Sequence, residues 1–531
     1  SWGIRTALLA IVALFTQKAL HAIAAWAKAL PTSAGSLSTV PKLLFLGEVV
    51  GPYHTVTQDV VFPIPDLRGV ASLPMSVHLP LHRIFAKLIH FGASGGVDLT
   101  PALTAIKQLS TFDATLFVEH PLRCLVFAAQ VAAGMWRRNG YTVLNLAYNY
   151  GRAPLSKTMR DMDILSVQLS AAALGSDAFI ATLVSRFQVL NLVEAAKDPI
   201  SLEAHMSPTT WAQVPASLNI LEYQPALLGE LLKLLIITLT YTPTCLLDSA
   251  DGSNEGWKRA LKREIVHQVL TGVQSAGQMQ RVKVMVGSTR TISDAMLQTA
   301  IEETCVRRAD EEDSAKILSL RPESYAFFDP EFPSLPNQAQ TTACDRIREH
   351  MKSEQAGRSG EALFAPLVSA TCLPIPHQNF ATLRSVLYCP AMMRLLAVSL
   401  NPKALTVEGS RSSALVILSR AVHLVTLQVV CCGPTDAASA LDMPYFRDAF
   451  AAVSEGSAVA STAVPPALKE GSASLQSTVR RGSGRGLLAA LADVWTSGEI
   501  RDDILYHQGL GWVLQKIFLH SADGRELLVS K

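Results

Sequence analysis

Four small constellations in the sequence have residue types and spacings that could do chemistry. Gly92, Ala93, Ser94, Gly95 and Gly96 satisfy G-x-S-x-G, the pattern in which a serine raised on a sharp strand-to-helix turn attacks an acyl group. That elbow needs a strand before the serine. Here Leu81, Ile84, Phe85 and Leu88 recur at helical spacing up to Gly92, so a helix end running into a Gly-rich loop is favoured over a hydrolase. His78 and His82 stand four apart, a spacing used by helical zinc ligands. Pro80 lies between them and no Cys, Asp or Glu is close in sequence, which favours structural histidines. Cys431 and Cys432 are adjacent, cannot close an unstrained disulfide, and read as small buried residues beside an apolar helix. Gly482, Gly484 and Gly486 miss the G-x-G-x-x-G spacing and lack a preceding strand. With no Walker loop and no H-E-x-x-H string, no residue is assigned a catalytic, cofactor-binding or metal-ligating role.

The elements around these motifs follow from composition. Charged residues make up 17% of the 531 residues and hydrophobic ones 49%, against roughly 25% charged in an average soluble protein. Disorder of the whole chain is excluded. The length suits three or four domains or one extended helical array. A formal net charge of +2 speaks against a broad basic field for nucleic acid and against a polyacidic tail. Eight dispersed cysteines form neither a disulfide framework nor a zinc module, pointing to a reducing compartment. The apolar runs at Ala7–Phe15 and Leu227–Leu239 are interrupted, the second by Glu230 and Lys233. A bilayer span needs about 20 nearly uninterrupted apolar residues, so buried scaffold helices are expected. The chain begins at Ser1 inside an apolar stretch, which reads as a piece of something longer.

Most of the chain carries helical periodicity. From Pro121 to Asn139, Leu122, Leu125, Val126, Ala129, Ala133 and Trp136 form one apolar stripe. Pro121 suits a first helical position, Arg137 and Arg138 a last turn, and Gly140 a left-handed stop. Trp136 is expected in a core junction. Further helices are expected at 178–194, 219–239, 391–400, 412–430 and 487–496, leaving no room for a large sheet. Linkers are read at 196–216, 243–256, 329–362 and, longest, 454–486, a Ser/Gly/Ala/Thr-rich stretch expected to be a disordered loop. No fixed internal period supports a regular repeat solenoid.

Residues 257–328 differ. Trp257, Leu261, Ile265 and Val269 mark one helix, 274–285 a weaker second, and a third starts at Thr291 with Asp294 three residues on as a capping-box-like pair. Two β-prone runs, Thr304–Arg308 and Ala315–Leu320, then flank the tip Asp310, Glu311, Glu312, Asp313. Three helices followed by a hairpin is the order of a winged helix. Its third helix carries Asp294, Glu302 and Glu303 without any Lys or Arg. Phosphates would be repelled, so a protein-docking module is favoured over a nucleic-acid reader.

The string FVEHPLRCLVFAAQVAAGMWRRNG at Phe117–Gly140 closely resembles a signature of the UBR-type E3 ubiquitin ligases, the N-recognins, with the plant-type branch closest. SVHLPLHR at Ser76–Arg83, Met162–Gln168, Arg186–Leu192, Leu227–Leu239, LKREIVHQVLTG at Leu261–Gly272, SLRPESYAFF at Ser319–Phe328 and GWVLQ at Gly511–Gln515 follow in the same order. The resemblance implies a cytosolic or nuclear ligase that binds N-degron substrates and passes ubiquitin from an E2 conjugating enzyme to substrate lysines for proteasomal degradation. It also implies zinc in the full-length protein, in a substrate-binding box and a RING. Both need dense Cys/His clusters, and this chain has none, so the chain would be the scaffold between them.

The expectation is therefore a mainly α protein: an irregular helical scaffold over 1–242, a winged-helix-like domain over 257–328, and a scaffold continuation over 363–531. It is expected to bind no cofactor itself and to bind neither nucleic acid nor membrane. The alternative is a non-enzymatic helical adaptor with a protein-docking winged helix.

Overall fold

The computed structural model describes residues 111–136, 141–152, 155–189, 223–242, 254–286, 292–309, 316–357, 378–400, 411–431 and 503–520, apart from a few single residues within them, together with isolated positions elsewhere. Among these the architecture is mainly helical. Two short antiparallel pairs are the described strands: β1 (Thr55–Val56) with β2 (Asp59–Val60), and a five-residue hairpin further on.

The first region packs α1 (Thr111–Ala132), α2 (Tyr141–Gly151), the single turn α3 (Leu155–Thr158), α4 (Arg160–Leu174) and α5 (Ser176–Arg186). Helix α1 begins ten residues before the expected start, so Pro121 sits inside it rather than at its first position. An interior proline removes one backbone bond and costs about 3 kcal/mol. Here His120 to Phe127 are all buried, and that burial offsets the loss. The helix stops earlier than expected too: Ala132 is its last residue and Gly134, with φ 85°, takes the left-handed turn. Gly140, Arg137 and Arg138 lie outside the described residues. Trp136 is buried, edge-on to Phe127 with centroids 5.5 Å apart, and its Nε1–H donates to Gln130 Oε1 at 3.3 Å.

Helix α6 (Gln224–Thr240) is the central rod, with Leu227, Leu228, Leu231, Leu232, Leu235 and Ile236 fully buried. It packs against α1, α4 and α12 (Arg411–Cys431). Gly229 permits the last approach: a Cβ there would stand 3.3 Å from an Arg420 guanidinium nitrogen. Within α12, Ser413–Cys431 is long and apolar enough to cross a membrane, the one such helix among the described residues, yet 72% of its 18-residue window is buried inside the fold.

Between α6 and α12 lie α7 (Glu255–Leu270), α8 (Gln280–Val286), α9 (Asp294–Thr304), and the hairpin of β3 (Cys305–Ala309) with β4 (Lys316–Leu320), registered from Cys305 opposite Leu320 to Ala309 opposite Lys316. The start of α9 differs from the expected Thr291. Ser293 is the cap, extended at ψ 154°, its hydroxyl accepting from the Met296 N–H at 3.1 Å. A short hydroxyl next to the first helical turn can reach the orphan donors. A 3-10 turn at Pro322–Phe327 leads to α10 (Asn337–Gly357), where the sequence suggests a linker at 329–362. That helix is polar overall and buries only a narrow stripe including Ala343, Cys344 and Ile347. A second 3-10 stretch (Gln378–Tyr388), α11 (Pro390–Ser399), α12 and α13 (Ile504–His520) complete the order. One apolar core runs from Leu122 on α1 to Leu514 on α13.

Candidate functional site

Ser94, His78, His82, Cys432, the acidic tip 310–313 and the glycines of 482–486 lie outside the described residues. What the described part contains instead is a set of buried charge clasps where helices from distant stretches meet.

The first clasp is closed. Arg83 Nη1 and Nη2 reach Asp163 Oδ1 at 2.8 Å and Oδ2 at 3.0 Å, the Tyr150 hydroxyl donates to Oδ2 at 2.7 Å, and Arg83 Nη2 also donates to the Val77 carbonyl at 2.5 Å. A fork-on-carboxylate pair of this kind fixes orientation as well as charge. Cys124 is fully buried beside it, 3.6 Å from His120 Nε2. Burial, with the Asp163 charge, pushes its thiol well above the usual range. A nucleophilic cysteine needs the opposite, a stabilised thiolate.

The second clasp joins this region to the segment after the hairpin. Asp161 takes Arg160 at 2.9 Å and Lys157 at 3.0 Å, while Arg160 Nη1 donates to the Gly151 carbonyl at 3.0 Å and the Pro333 carbonyl at 2.6 Å. Desolvation would raise the Asp161 carboxyl, but Lys157 and Arg160 overcome it and hold it at about 2. Gln168 Nε2 donates to the Thr238 and Tyr241 carbonyls, each at 2.8 Å, and Arg263 Nη1 to the Thr240 carbonyl at 3.0 Å. Side chains of α4 and α7 thus satisfy the orphan carbonyls at the end of α6.

The third clasp centres on Asp329 and Glu331. Arg263 of α7 pairs with Asp329; Arg420 of α12 pairs with Glu331 at 2.8 Å and with Glu230 of α6 at 3.1 Å; Lys233 of α6 lies 3.7 Å from Glu331. His267 of α7 stacks on Phe332 with centroids 3.9 Å apart. Burial outweighs its two backbone hydrogen bonds and lowers it to about 4. Glu331, despite desolvation, is held at about 2 by Arg420 and Lys233.

These groups position; they are not arranged to react. Among the described residues no cluster of three or more His, Cys, Asp and Glu could hold a metal. The dispersed, buried Cys124, Cys305, Cys344 and Cys389 do not fit a zinc module. None of the clasp residues was singled out by motif. The available signal was the presence of Glu230, Lys233, Arg420 and His423 inside otherwise apolar helical runs, where a charge persists only when paired.

Residues 49–201 match the family model of the UBR1/2/3-like ARM repeat domain. The chain is similar to UBR-family E3 ubiquitin ligases. It is 27% identical to mouse E3 ubiquitin-protein ligase UBR2 over 357 residues, covering 67% of this chain and 19% of that protein. It is 29% identical over 226 residues to E3 ubiquitin-protein ligase PRT6 of Arabidopsis thaliana, 39% of this chain and 10% of that one. With Drosophila melanogaster E3 ubiquitin-protein ligase UBR1 it shares 36% over 125 residues, 23% and 7%. The chain therefore spans about a fifth or less of the length of these curated relatives. The ARM match corrects the expectation drawn from the missing period. Within the matched stretch, helices of 22, 11, 4, 15 and 11 residues pack on one another without equal lengths, which is why the sequence shows no fixed period.

Proposed function

We propose that this chain is the rigid helical spacer of an N-degron-recognising E3 ubiquitin ligase, of the plant-type branch. The observation that carries the reading is the UBR2 similarity spread over two thirds of the chain, falling on helices that buried charge clasps hold in one arrangement. A spacer raises effective concentration: substrate and E2-bound ubiquitin held at a set distance meet without diffusing. Substrate box, RING and their zinc then belong to other parts of the parent protein, which works in the cytosol or nucleus. In this reading α7, α8, α9 and the hairpin form a winged helix that docks protein. The acids of its third helix are partly neutralised from within, Glu303 by Lys262 at 2.7 Å and Asp294 by Lys283.

The test is ubiquitin transfer by the parent protein carrying Asp329→Asn. A loosened spacer should slow substrate ubiquitination several-fold while binding of an N-degron peptide and ubiquitin discharge from the E2 to free lysine stay unchanged. Equal transfer by variant and wild type would reject the spacer; an open reading frame without Cys/His clusters on either side would reject the ligase and favour the adaptor.

A further inference from the structure

Five of the eight large apolar side chains left exposed among the described residues fall within one short stretch: Tyr141 at 77%, Tyr148 at 51%, and Leu144, Leu146 and Leu155 between 36% and 44%. Spacings of three and four residues put Tyr141, Leu144 and Tyr148 on one face of α2. The other side of the helix faces the fold, where Tyr150 is buried and Val143 and Ala147 pack against the core. Helix α2 packs chiefly on α1 and α3, and the stripe stays uncovered. A stacked helical array keeps its outer faces soluble by making them polar. A clustered apolar face on such an array marks a contact surface.

Tyr148 is already oriented. The Arg152 guanidinium donates to its hydroxyl and lies 5.1 Å from its ring centroid, so little side-chain freedom remains to be lost on binding. Tyrosine and arginine are also the residue types on which interface energy concentrates. The charge around the stripe is one-sided. Helix α2 carries no charged residue, and no Asp or Glu occurs anywhere from His120 to Arg160. Of the cations in that stretch, Arg123 is buried, and Lys157 and Arg160 are paired with Asp161. Arg137 and Arg138 precede the helix in sequence, and Arg152 follows it without meeting a carboxylate among the described residues.

We propose that this face of α2 docks an amphipathic helix of another protein, apolar along one side and bearing carboxylates at both ends. Helix recognition of this kind reads apolar anchors spaced three and four residues apart. The carboxylates would answer Arg137 and Arg138 at one end and Arg152 at the other. A second copy of this chain fits worse. Antiparallel pairing sets Arg152 of one copy toward Arg137 and Arg138 of the other, and parallel pairing sets each arginine against its like. A lipid surface also fits worse: Asn145 and Asn149 border the stripe, and Leu144 is more than half withdrawn into the fold, short of the depth at which an interfacial helix inserts. The surface gives the spacer a partner of its own and stands whether the parent is a ligase or an adaptor.

Fluorescence anisotropy on the whole chain tests this with two labelled, alanine-based synthetic helices. Both carry leucines along one side at the spacing of the stripe; one is ended by glutamates and the other by lysines. The glutamate-ended helix should bind at least about tenfold more tightly at low salt, with the gap closing at high salt. Tyr148→Ser should abolish its binding and leave the melting temperature unchanged, because the ring is half exposed; if that variant is unstable, Tyr141→Ser takes its place. Arg152→Glu should cut the preference for glutamate ends several-fold. The proposal is overturned by no binding of the glutamate-ended helix, by equal binding of both, by binding that survives Tyr148→Ser, or by an unchanged preference in Arg152→Glu. Self-association that Tyr148→Ser removes would give the face to a second copy, and binding to phosphatidylserine vesicles that it removes would give it to a membrane; either result overturns the proposal as well.

Discussion

Asp163 and Asp329 are both buried carboxylates facing an arginine, but they are built in opposite ways. Asp163 is met by Arg83 and by the Tyr150 hydroxyl within one packed region. Asp329 belongs to a network in which α6, α7, α12 and the post-hairpin segment each supply a charge. A closed pair fixes helices that are already neighbours. An open network makes the position of each element conditional on the others, and that is where a stiff scaffold can yield.

Asp329→Ala should have the largest effect. It leaves Arg263, whose side chain is 9% exposed, as an uncompensated buried charge, a loss of about 3–5 kcal/mol. Urea unfolding checks it, and a smaller loss than for Asp163→Ala would invert the comparison. Trp136→Ala should cost about 3–5 kcal/mol through a cavity and the lost Nε1–H bond to Gln130; its loss should be the same at pH 5 and pH 7.5 by differential scanning calorimetry. Glu331 sharpens the contrast further. Its carboxyl drops from 4.5 to about 2 in the fold, so its stabilisation of about 3 kcal/mol is present above 4.5 and lost as pH falls toward 2. Glu331→Gln should flatten that part of the stability–pH curve, and an unchanged slope would remove Glu331 from the network. The smallest effect belongs to the surface pair Lys262–Glu303, where Lys262→Ala should cost less than about 1 kcal/mol and vanish in high salt.

The helices that bury a full apolar stripe were legible in the sequence: α12 falls within one residue of its expected span at both ends, and α6 ends one residue past its expected end although it begins at Gln224 and not at 219. Helix α10 was not, because Asn337–Gly357 is mostly polar and its narrow buried stripe is too weak to stand out. The end signals of α1 misled for a related reason. Pro121 is a good first residue in isolation, and only the burial of the surrounding turns lets the helix run through it. The clasps were beyond sequence reasoning, since Arg263 and Asp329 are 66 residues apart, Arg420 and Glu331 89, and Arg420 and Glu230 190. Local spacing shows that Arg420 and His423 interrupt an apolar run; it cannot show what answers them.

The pairing of α6 with α12 also sets an order of events during synthesis. Helix α6 leaves the ribosome about 170 residues before α12, a wait of roughly 10–30 s at about 5–20 residues per second. Through that interval the leucine face later sealed by α12 stays open, a natural client for a chaperone. A nascent chain arrested before Arg411 should therefore pellet or be captured by Hsp70-type holdases in a translation extract, and release of a chain extended past Cys431 should end that dependence.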